Sequence, residues 1–314
     1  MTRKIRIATQ GVPHDYRASI VPCTLESLGY EIDWSEAANA DLLIRGPFYH
    51  PSRHLQRWVP KPLRRSIAAL LPSKQRVNRP VILFQTAENL RHDHIPCDYS
   101  ISFDLCVNSS KHIRLPYWME MVDWRHEGIY GNINSRFGQL LELERLTQPL
   151  GNAFLKRQQK AAFFSSHLRE PRATLLAAVS AVVPVDGYGP QFDASIAHHS
   201  SSGLGKFDVL QDYVFNLCPE NSMYPGYYTE KIPEAFAAGC VPLAWADTNV
   251  CIDFNPGAII NLGSMMHNGF DDLAAAIRSP ALLRNLSDCA LLQNRPSLEG
   301  LKAFLRTVAH DATT

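Results

Sequence analysis

Short apolar runs alternate with amphipathic stretches along the whole chain. Ile5-Arg6-Ile7-Ala8-Thr9, Glu31-Ile32-Asp33-Trp34 and Asp41-Leu42-Leu43-Ile44-Arg45-Gly46 read as strands, with a helix over Ser19 to Leu28 between the first two. Val81-Ile82-Leu83-Phe84-Gln85-Thr86 is continuous and apolar, the pattern of a strand covered on both faces of a parallel sheet. A stretch over 126–152 then carries Gly128, Gly131, Gly138 and Gly151 around a helical segment near Leu140 to Leu146. It reads as the linker between two domains, 1–150 and 151–314. The alternation restarts at Ala162-Phe163-Phe164-Ser165-Ser166. Glu170-Pro171-Arg172 opens a helix through Leu175, Leu176 and Val179, and Val182-Val183-Pro184-Val185 follows as a strand. Tyr213 to Cys218 and Val241 to Trp245 are two further strands, with Ile232, Phe236 and Gly239 at helical spacing between them. Leu301 to Arg306 predicts a final helix, packing back on the first domain. Strands alternating with helices predict an α/β protein with parallel sheets.

The polar residues of the second half gather after the strand Tyr213 to Cys218. There the run Pro219-Glu220-Asn221-Ser222 is followed by Gly226-Tyr227-Tyr228-Thr229-Glu230-Lys231. In open α/β sheets ligands bind at the carboxyl ends of strands. Pro233 cannot donate an intrahelical hydrogen bond, so it belongs to a first helical turn. The helix therefore starts near Glu230 to Ile232. A lysine at that end is unfavourable for the helix itself, and a bound phosphate would offset it. An ordinary solvated helix start explains Lys231 as well. Arg172 repeats the arrangement at the start of the preceding helix. In the first half, Glu88 follows the buried strand Val81 to Thr86 and so faces the same ligand-binding side. Its bland alternative is a loop acid capping Asn89 or Leu90.

These motifs resemble glycosyltransferase family 10, the α-1,3/1,4-fucosyltransferases. The resemblance is carried by Glu220-Asn221-Ser222, by Tyr227-Tyr228-Thr229-Glu230-Lys231, by Gly239-Cys240-Val241-Pro242 and by Asp253-Phe254-Asn255-Pro256. Upstream it includes Thr86-Ala87-Glu88-Asn89-Leu90, Cys97-Asp98-Tyr99, Phe103-Asp104 and Arg114-Leu115-Pro116-Tyr117. It covers roughly residues 80 to 275. Pro219 stands where the family usually has phenylalanine, which puts the floor of the nucleotide site in question.

The resemblance implies a GT-B fold, two Rossmann-like domains facing a cleft. It implies inverting transfer of L-fucose from GDP-β-L-fucose to a hydroxyl of an acceptor sugar, commonly GlcNAc or glucose, in a bacterial surface glycan such as lipopolysaccharide or its precursor. Glu88 matches the general base. Arg172 and Lys231 match the diphosphate ligands, Glu230 the acid that holds the ribose hydroxyls, and Asn221 and Tyr227 polar and stacking contacts to the donor. Glu220 falls in the same donor-binding stretch. Core packing is the alternative for Tyr227, since Tyr228 is adjacent. Two other readings stand beside this one. The fold could use a different nucleotide sugar, or the chain could be a non-catalytic nucleotide- or glycan-binding relic. The joint presence of Glu88, Arg172, Glu230 and Lys231 speaks against the relic.

Composition narrows the rest. The chain has 314 residues, 46% hydrophobic, and a net charge of +1. It holds no apolar run of the roughly eighteen residues a membrane helix needs. Its start, Met1-Thr2-Arg3-Lys4-Ile5-Arg6, lacks the apolar block of a signal peptide. The expectation is a chain beginning at the catalytic core without an anchor, as in bacterial relatives. Seven scattered cysteines with no C-x-x-C fit reduced thiols of a cytoplasmic protein. No Asp-x-Asp motif occurs, so the expectation is cationic side chains at the diphosphate, no tightly bound metal, and divalent ions acting only as stimulants. Arg91-His92-Asp93-His94 reads as a solvated loop rather than a metal site, and His198 to Gly205 as a flexible loop. From Leu42 to Ala87 there is no Asp or Glu against nine basic residues. Leu63, Ile67, Leu70 and Leu71 give Pro62 to Leu71 an amphipathic stripe beside Arg64 and Arg65. That segment is expected to dock on an anionic membrane face or a phosphate-bearing acceptor, with packing on the first domain as the alternative. No nucleic-acid motif accompanies the charge.

Overall fold

The computed structural model describes residues 3–50, 79–133, 139–192 and 205–314. The stripe over Pro62 to Leu71 and the loop from His198 to Leu204 lie outside the described residues.

Two fully parallel sheets organise the molecule. The first has the order β2-β1-β3-β4-β5-β6. Its strands are β1 (Arg3–Gln10), β2 (Tyr30–Trp34), β3 (Leu42–Arg45), β4 (Val81–Gln85), β5 (Tyr99–Ser102) and β6 (His112–Arg114). The second has the order β11-β10-β9-β7-β8. It comprises β7 (Gln158–Phe164), β8 (Val185–Tyr188), β9 (Tyr213–Pro219), β10 (Val241–Trp245) and β11 (Ile260–Asn261). Central strands β9 and β10 are buried along their full length, which is why they read as near-continuous apolar runs, broken only by Asn216 in β9. The expected GT-B architecture of two Rossmann-like units is what the topology shows.

Each sheet reverses its strand order once, between β1 and β3 in the first and between β7 and β9 in the second. Crevices at such reversals, beyond the carboxyl ends of the strands, are the natural ligand sites of this architecture. In the first sheet the loops after β1 and β3 touch through glycine. A side chain on Gly46 would lie 2.4 Å from the Gly11 carbonyl oxygen, and one on Gly11 2.1 Å from the Tyr49 nitrogen. Glycine alone permits that approach.

Helix α1 (Ile20–Ser27) covers the first sheet, and α2 (Arg172–Ser180) and α3 (Lys231–Ala237) belong to the second. Pro233 is the third residue of α3, as its missing donor demands. The C-terminal α4 (Glu299–Thr313) packs against α1 and against strands of the first sheet. Tyr99 donates to Asp311 and sets its ring edge-on to Phe304. Lys302 pairs with Glu127 at 3.0 Å.

Polar contacts tie the halves together near the cleft. Arg114, at the end of β6, grips Asp253 with two nitrogens at 2.8 and 2.7 Å. Arg91 lies over the rings of Tyr224 and Phe103, 3.3 and 4.4 Å from their centroids. Asn89 donates to Ser222 and accepts from Arg91.

Candidate active site

A cleft of about 250 Å³ opens between the carboxyl ends of the two sheets. From the first half it is lined by the loops after β1, β3 and β4, including Ala87 and Glu88, and by the turn Tyr117–Met121. From the second half come Asn221, Tyr227, Thr229, Glu230 and Lys231. Residues far apart in sequence thus meet because both sheets point their strand ends at the same space.

Glu88 is half-buried, two residues beyond the last buried position that follows β4. Its backbone N–H donates to Thr86 Oγ1 at 3.1 Å, and that hydroxyl donates to the Glu88 carbonyl. The local turn is closed by Thr86, so the Glu88 side chain is not spent on capping. No described side chain pairs with its carboxylate.

On the opposite wall the loop from Glu220 to Lys231 is built around one buried carboxylate. Glu220 is 2% exposed. It accepts from the Thr229 N–H at 2.8 Å, from Thr229 Oγ1 at 2.8 Å and from Lys231 Nζ at 2.9 Å. The structure therefore turns Glu220 inward as the brace of the loop and does not bring it to the cleft. Lys231 also donates to Thr229 Oγ1 at 2.6 Å and stands 3.7 Å from Glu230. Burial alone would lower the Lys231 ammonium, but Glu220 and Glu230 outweigh it and hold the pKa above the ordinary value. Burial likewise opposes the Glu230 charge, yet Lys231 and Lys206 bring its carboxyl down to about 2. Both groups are charged at neutral pH. The loop needs Gly226 (φ +87°), where a Cβ would sit 2.5 Å from the Phe103 carbonyl.

Tyr227 is buried against Phe103, with ring centroids 4.9 Å apart, yet reaches the cleft. Tyr228 turns the other way, its hydroxyl donating to Asp247 and its ring near Phe254. Of the two adjacent tyrosines, Tyr228 is the core residue. Arg172 is 6% exposed and spans the reversal point of the second sheet. It donates to Ser165 Oγ beyond β7 at 2.8 Å and to Asn221 Oδ1 beyond β9 at 2.7 Å. Burial lowers its pKa against the pull of Glu220 and Tyr227. It sits behind Asn221 rather than on the cleft wall. Pro219 closes β9 in register with Trp245 and is not among the lining residues.

The structure also shows residues that the sequence reading missed. Asp104 gathers the Arg91 guanidinium at 3.2 Å, the His92 N–H at 2.6 Å and the Ser102 hydroxyl at 2.8 Å. His92 thus belongs to a structural cluster, and its ring lies 5.2 Å from that of His112. Among the described residues no group of three or more His, Cys, Asp or Glu is placed to hold a metal. Tyr16, Gln85 and Glu120 line the cleft beside Glu88. Gln85 and Glu120 carried a sequence signal, one just before the Thr86-Ala87-Glu88 motif and the other just after the Arg114-Leu115-Pro116-Tyr117 run.

Comparison with known proteins decides the family. Residues 154–275 match the model of "Glycosyltransferase family 10 (fucosyltransferase) C-term", and residues 70–121 match that of the "Alpha-(1,3)-fucosyltransferase FucT N-terminal domain". The chain belongs to glycosyltransferase family 10. The matched C-terminal segment contains Arg172, Asn221, Tyr227, Glu230 and Lys231, and the N-terminal one contains Glu88 and Glu120. A curated relative, the alpha-(1,3)-fucosyltransferase FucT of Helicobacter pylori, is 25% identical over 197 residues. That match takes in 57% of this chain and 40% of the relative, so the chain spans well under half of that family member's length. A crystal structure of an alpha1,3-fucosyltransferase superposes with a TM-score of 0.68 at 21% identity, covering 98% of this chain and 90% of that one. Another, of an alpha1,3-fucosyltransferase with GDP-fucose, gives 0.66 at 20% identity, covering 98% and 91%. These likenesses establish the shared fold. No helix among the described residues is long and apolar enough to cross a membrane.

Proposed function

We propose that this chain is an inverting fucosyltransferase that moves L-fucose from GDP-β-L-fucose to a hydroxyl of an acceptor sugar. The observation that carries the reading is the meeting of Glu88 with Tyr227, Glu230 and Lys231 across one cleft. A free carboxylate faces a braced cation and a charged acid, the set that such a transfer needs. Glu88 takes the proton of the acceptor hydroxyl as its oxygen attacks the anomeric carbon. The bond from that carbon to the phosphate oxygen breaks, and the charge leaves with GDP. Lys231 stabilises that charge, with Arg172 as the second cation acting through the side chain of Asn221 that it holds. Glu230, ionised at neutral pH, accepts from the ribose hydroxyls. Tyr227 supplies the apolar wall. Glu220 acts indirectly, by holding Lys231 in place. Both nucleotide-binding motifs lie after residue 150, so we assign the donor to 151–314 and the acceptor to 1–150. Seven unpaired cysteines support a cytoplasmic site of action on a surface-glycan precursor, with the basic segment 42–87 as a peripheral membrane contact.

Calorimetry and radiolabel transfer with GDP-fucose, GDP-mannose and UDP-sugars test the donor. Binding and transfer only with GDP-fucose are expected, and a stronger response to another nucleotide sugar would replace it. Glu88→Gln should keep GDP binding and lower turnover by roughly 10²- to 10⁴-fold, the range for a positioned base. Near wild-type turnover would remove Glu88 from the base role.

A further inference from the structure

The cleft wall facing the donor residues carries a second carboxyl that the proposed reaction leaves unused. Glu120 sits in the turn Tyr117–Met121 and lines the cleft with Gln85, Asn132, Ile133 and Phe48. Its Oε1 accepts from Gln85 Nε2 at 2.9 Å. Gln85 is itself fixed by Tyr16, whose hydroxyl donates to Gln85 Oε1. An amide has one acceptor end and one donor end. Tyr16 therefore settles which end of Gln85 meets the carboxylate. Asn132 pins the backbone by donating to the Glu120 carbonyl at 2.7 Å.

The other oxygen of Glu120 has no hydrogen-bond partner among the described residues. Nor, among the described residues, has the group a cation. In this it differs from the protein's structural carboxylates. Glu220 has Lys231, Asp253 has Arg114 and Asp104 has Arg91. Burial pushes the Glu120 carboxyl up to about 7, with Asp15 adding to the rise and the Gln85 hydrogen bond offsetting part of it. A carboxyl kept partly desolvated, oriented by a two-step relay and left with an empty acceptor is a poor structural brace. It is a good receptor for a donor group that arrives with a ligand.

The same cleft exposes apolar surface at its mouth. Phe48 is 53% exposed and Ile133 58%. Phe48 is held by its backbone, its N–H donating to the Gly11 carbonyl at 2.9 Å. It stands on the loop that glycine lets approach β1. A pyranose presents hydroxyls at its edge and a C–H-lined face, which suits a fixed carboxylate below and an aromatic at the rim.

From this geometry we infer that Glu120 and Phe48 form the subsite that selects a hexopyranose acceptor, the carboxylate accepting from a sugar hydroxyl other than the attacking one. The inference rests on the transferase reading above. Its test uses wild type, Glu120→Gln and Phe48→Ala, with GDP-fucose as donor and N-acetyllactosamine and lactose as acceptor probes. GDP affinity is measured by calorimetry, and acceptor KM and kcat by transfer. GDP affinity should stay within about twofold. At a pH of about 8 or above, where the Glu120 carboxyl is mostly ionised, acceptor KM should rise about tenfold or more in Glu120→Gln, the effect of losing a hydrogen bond to a charged group, with a smaller loss in kcat. Phe48→Ala should raise KM as well. An unchanged acceptor KM in Glu120→Gln, or a matching loss of GDP affinity, overturns the inference. So does transfer by wild type to neither probe while GDP-fucose is still bound and hydrolysed, and that result leaves the donor reading standing. Failure of wild type to bind GDP at all removes the transferase reading and the subsite with it.

Discussion

Lys231 has two jobs in this structure, and they can be separated. It braces the buried Glu220 carboxylate at 2.9 Å, and it is proposed to meet the donor diphosphate. Lys231→Gln removes both. Breaking a buried ion pair by deleting one partner costs roughly 3–5 kcal/mol. Here the lysine side chain is 19% exposed and Glu220 keeps two donors from Thr229, so a loss of about 2–3 kcal/mol in folding stability is expected. Glu220→Gln should cost a similar amount, because an amide then confronts a buried ammonium. The double variant Glu220→Gln/Lys231→Gln leaves neither charge unpaired. Its loss of stability should fall short of the sum of the two single losses by about 2 kcal/mol, since directly bonded groups couple. Donor affinity should not follow. With the ammonium gone, GDP binding should fall by about 1.5–3 kcal/mol in both Lys231→Gln and the double variant, roughly 10- to 150-fold. Guanosine, which lacks the diphosphate, should bind almost as before. Urea denaturation gives the stabilities, and titration calorimetry with GDP and guanosine gives the affinities. If GDP affinity recovers in the double variant along with stability, Lys231 is a brace and nothing more. If guanosine weakens as much as GDP, the loop has collapsed and the diphosphate assignment loses its support.

Arg172→Ala should weaken GDP binding, and its combination with Lys231→Gln should be non-additive, since both act on one diphosphate; calorimetric additivity would separate them. Gly226→Ala should destabilise by about 1–3 kcal/mol and impair the donor loop, because the residue sits at φ +87° with its Cβ 2.5 Å from the Phe103 carbonyl; an unchanged unfolding midpoint would refute this. The acceptor KM of wild type should fall as pH rises through about 7, because Glu120 accepts from a sugar hydroxyl more strongly when ionised than when protonated, and this dependence should vanish in Glu120→Gln. The groups that face Glu120 are Asp15, Tyr16, Gln85 and Tyr117, with Glu88 beside it and Glu230 and Lys231 across the cleft. Glu230 and Lys231 do not titrate in that range. A KM profile that stays pH-dependent in the variant would move the effect to another group.

The frame of the fold was legible because its central strands are covered on both faces. Val241 to Trp245 is a run of apolar residues, and Tyr213 to Cys218 is one broken only by Asn216; short runs of this kind between turn signals read as covered strands. Where the core admits polar groups, the pattern failed. Tyr99-Ser100-Ile101-Ser102 is a buried strand, but its serines look like loop residues in a sequence window. Tertiary partners satisfy them: Ser100 meets His112 at 2.9 Å and Ser102 donates to Asp104 at 2.8 Å. The strand expected over Val182 to Val185 forms three residues later, at Val185–Tyr188. Val182 and Val183 instead close α2, their N–H groups bonding back to the Val179 carbonyl. The polar Asp186 is accommodated on this edge strand by Lys160 at 3.3 Å and by the Tyr213 hydroxyl at 2.8 Å.

The site divides along the same line. Glu230, Lys231 and Tyr227 lie within one loop, so their neighbourhood is already present in the sequence, and a motif can carry it. Glu220 lies in that loop too, yet adjacency could not say that it points inward. That depends on β9 ending at Pro219 and on Gly226 bending the chain until the Thr229 N–H faces back. Glu120 stands at the far extreme. Its environment is assembled from Tyr16, Gln85 and Asn132, on three separate segments, and each of those residues is unremarkable alone. Arg172 apart, the residues proposed to hold the donor are thus compressed into one local stretch of sequence. Recognition on the other wall is distributed over loops that meet only when the first sheet is built. A change in any one of them would alter the acceptor subsite without touching a residue of the donor motif.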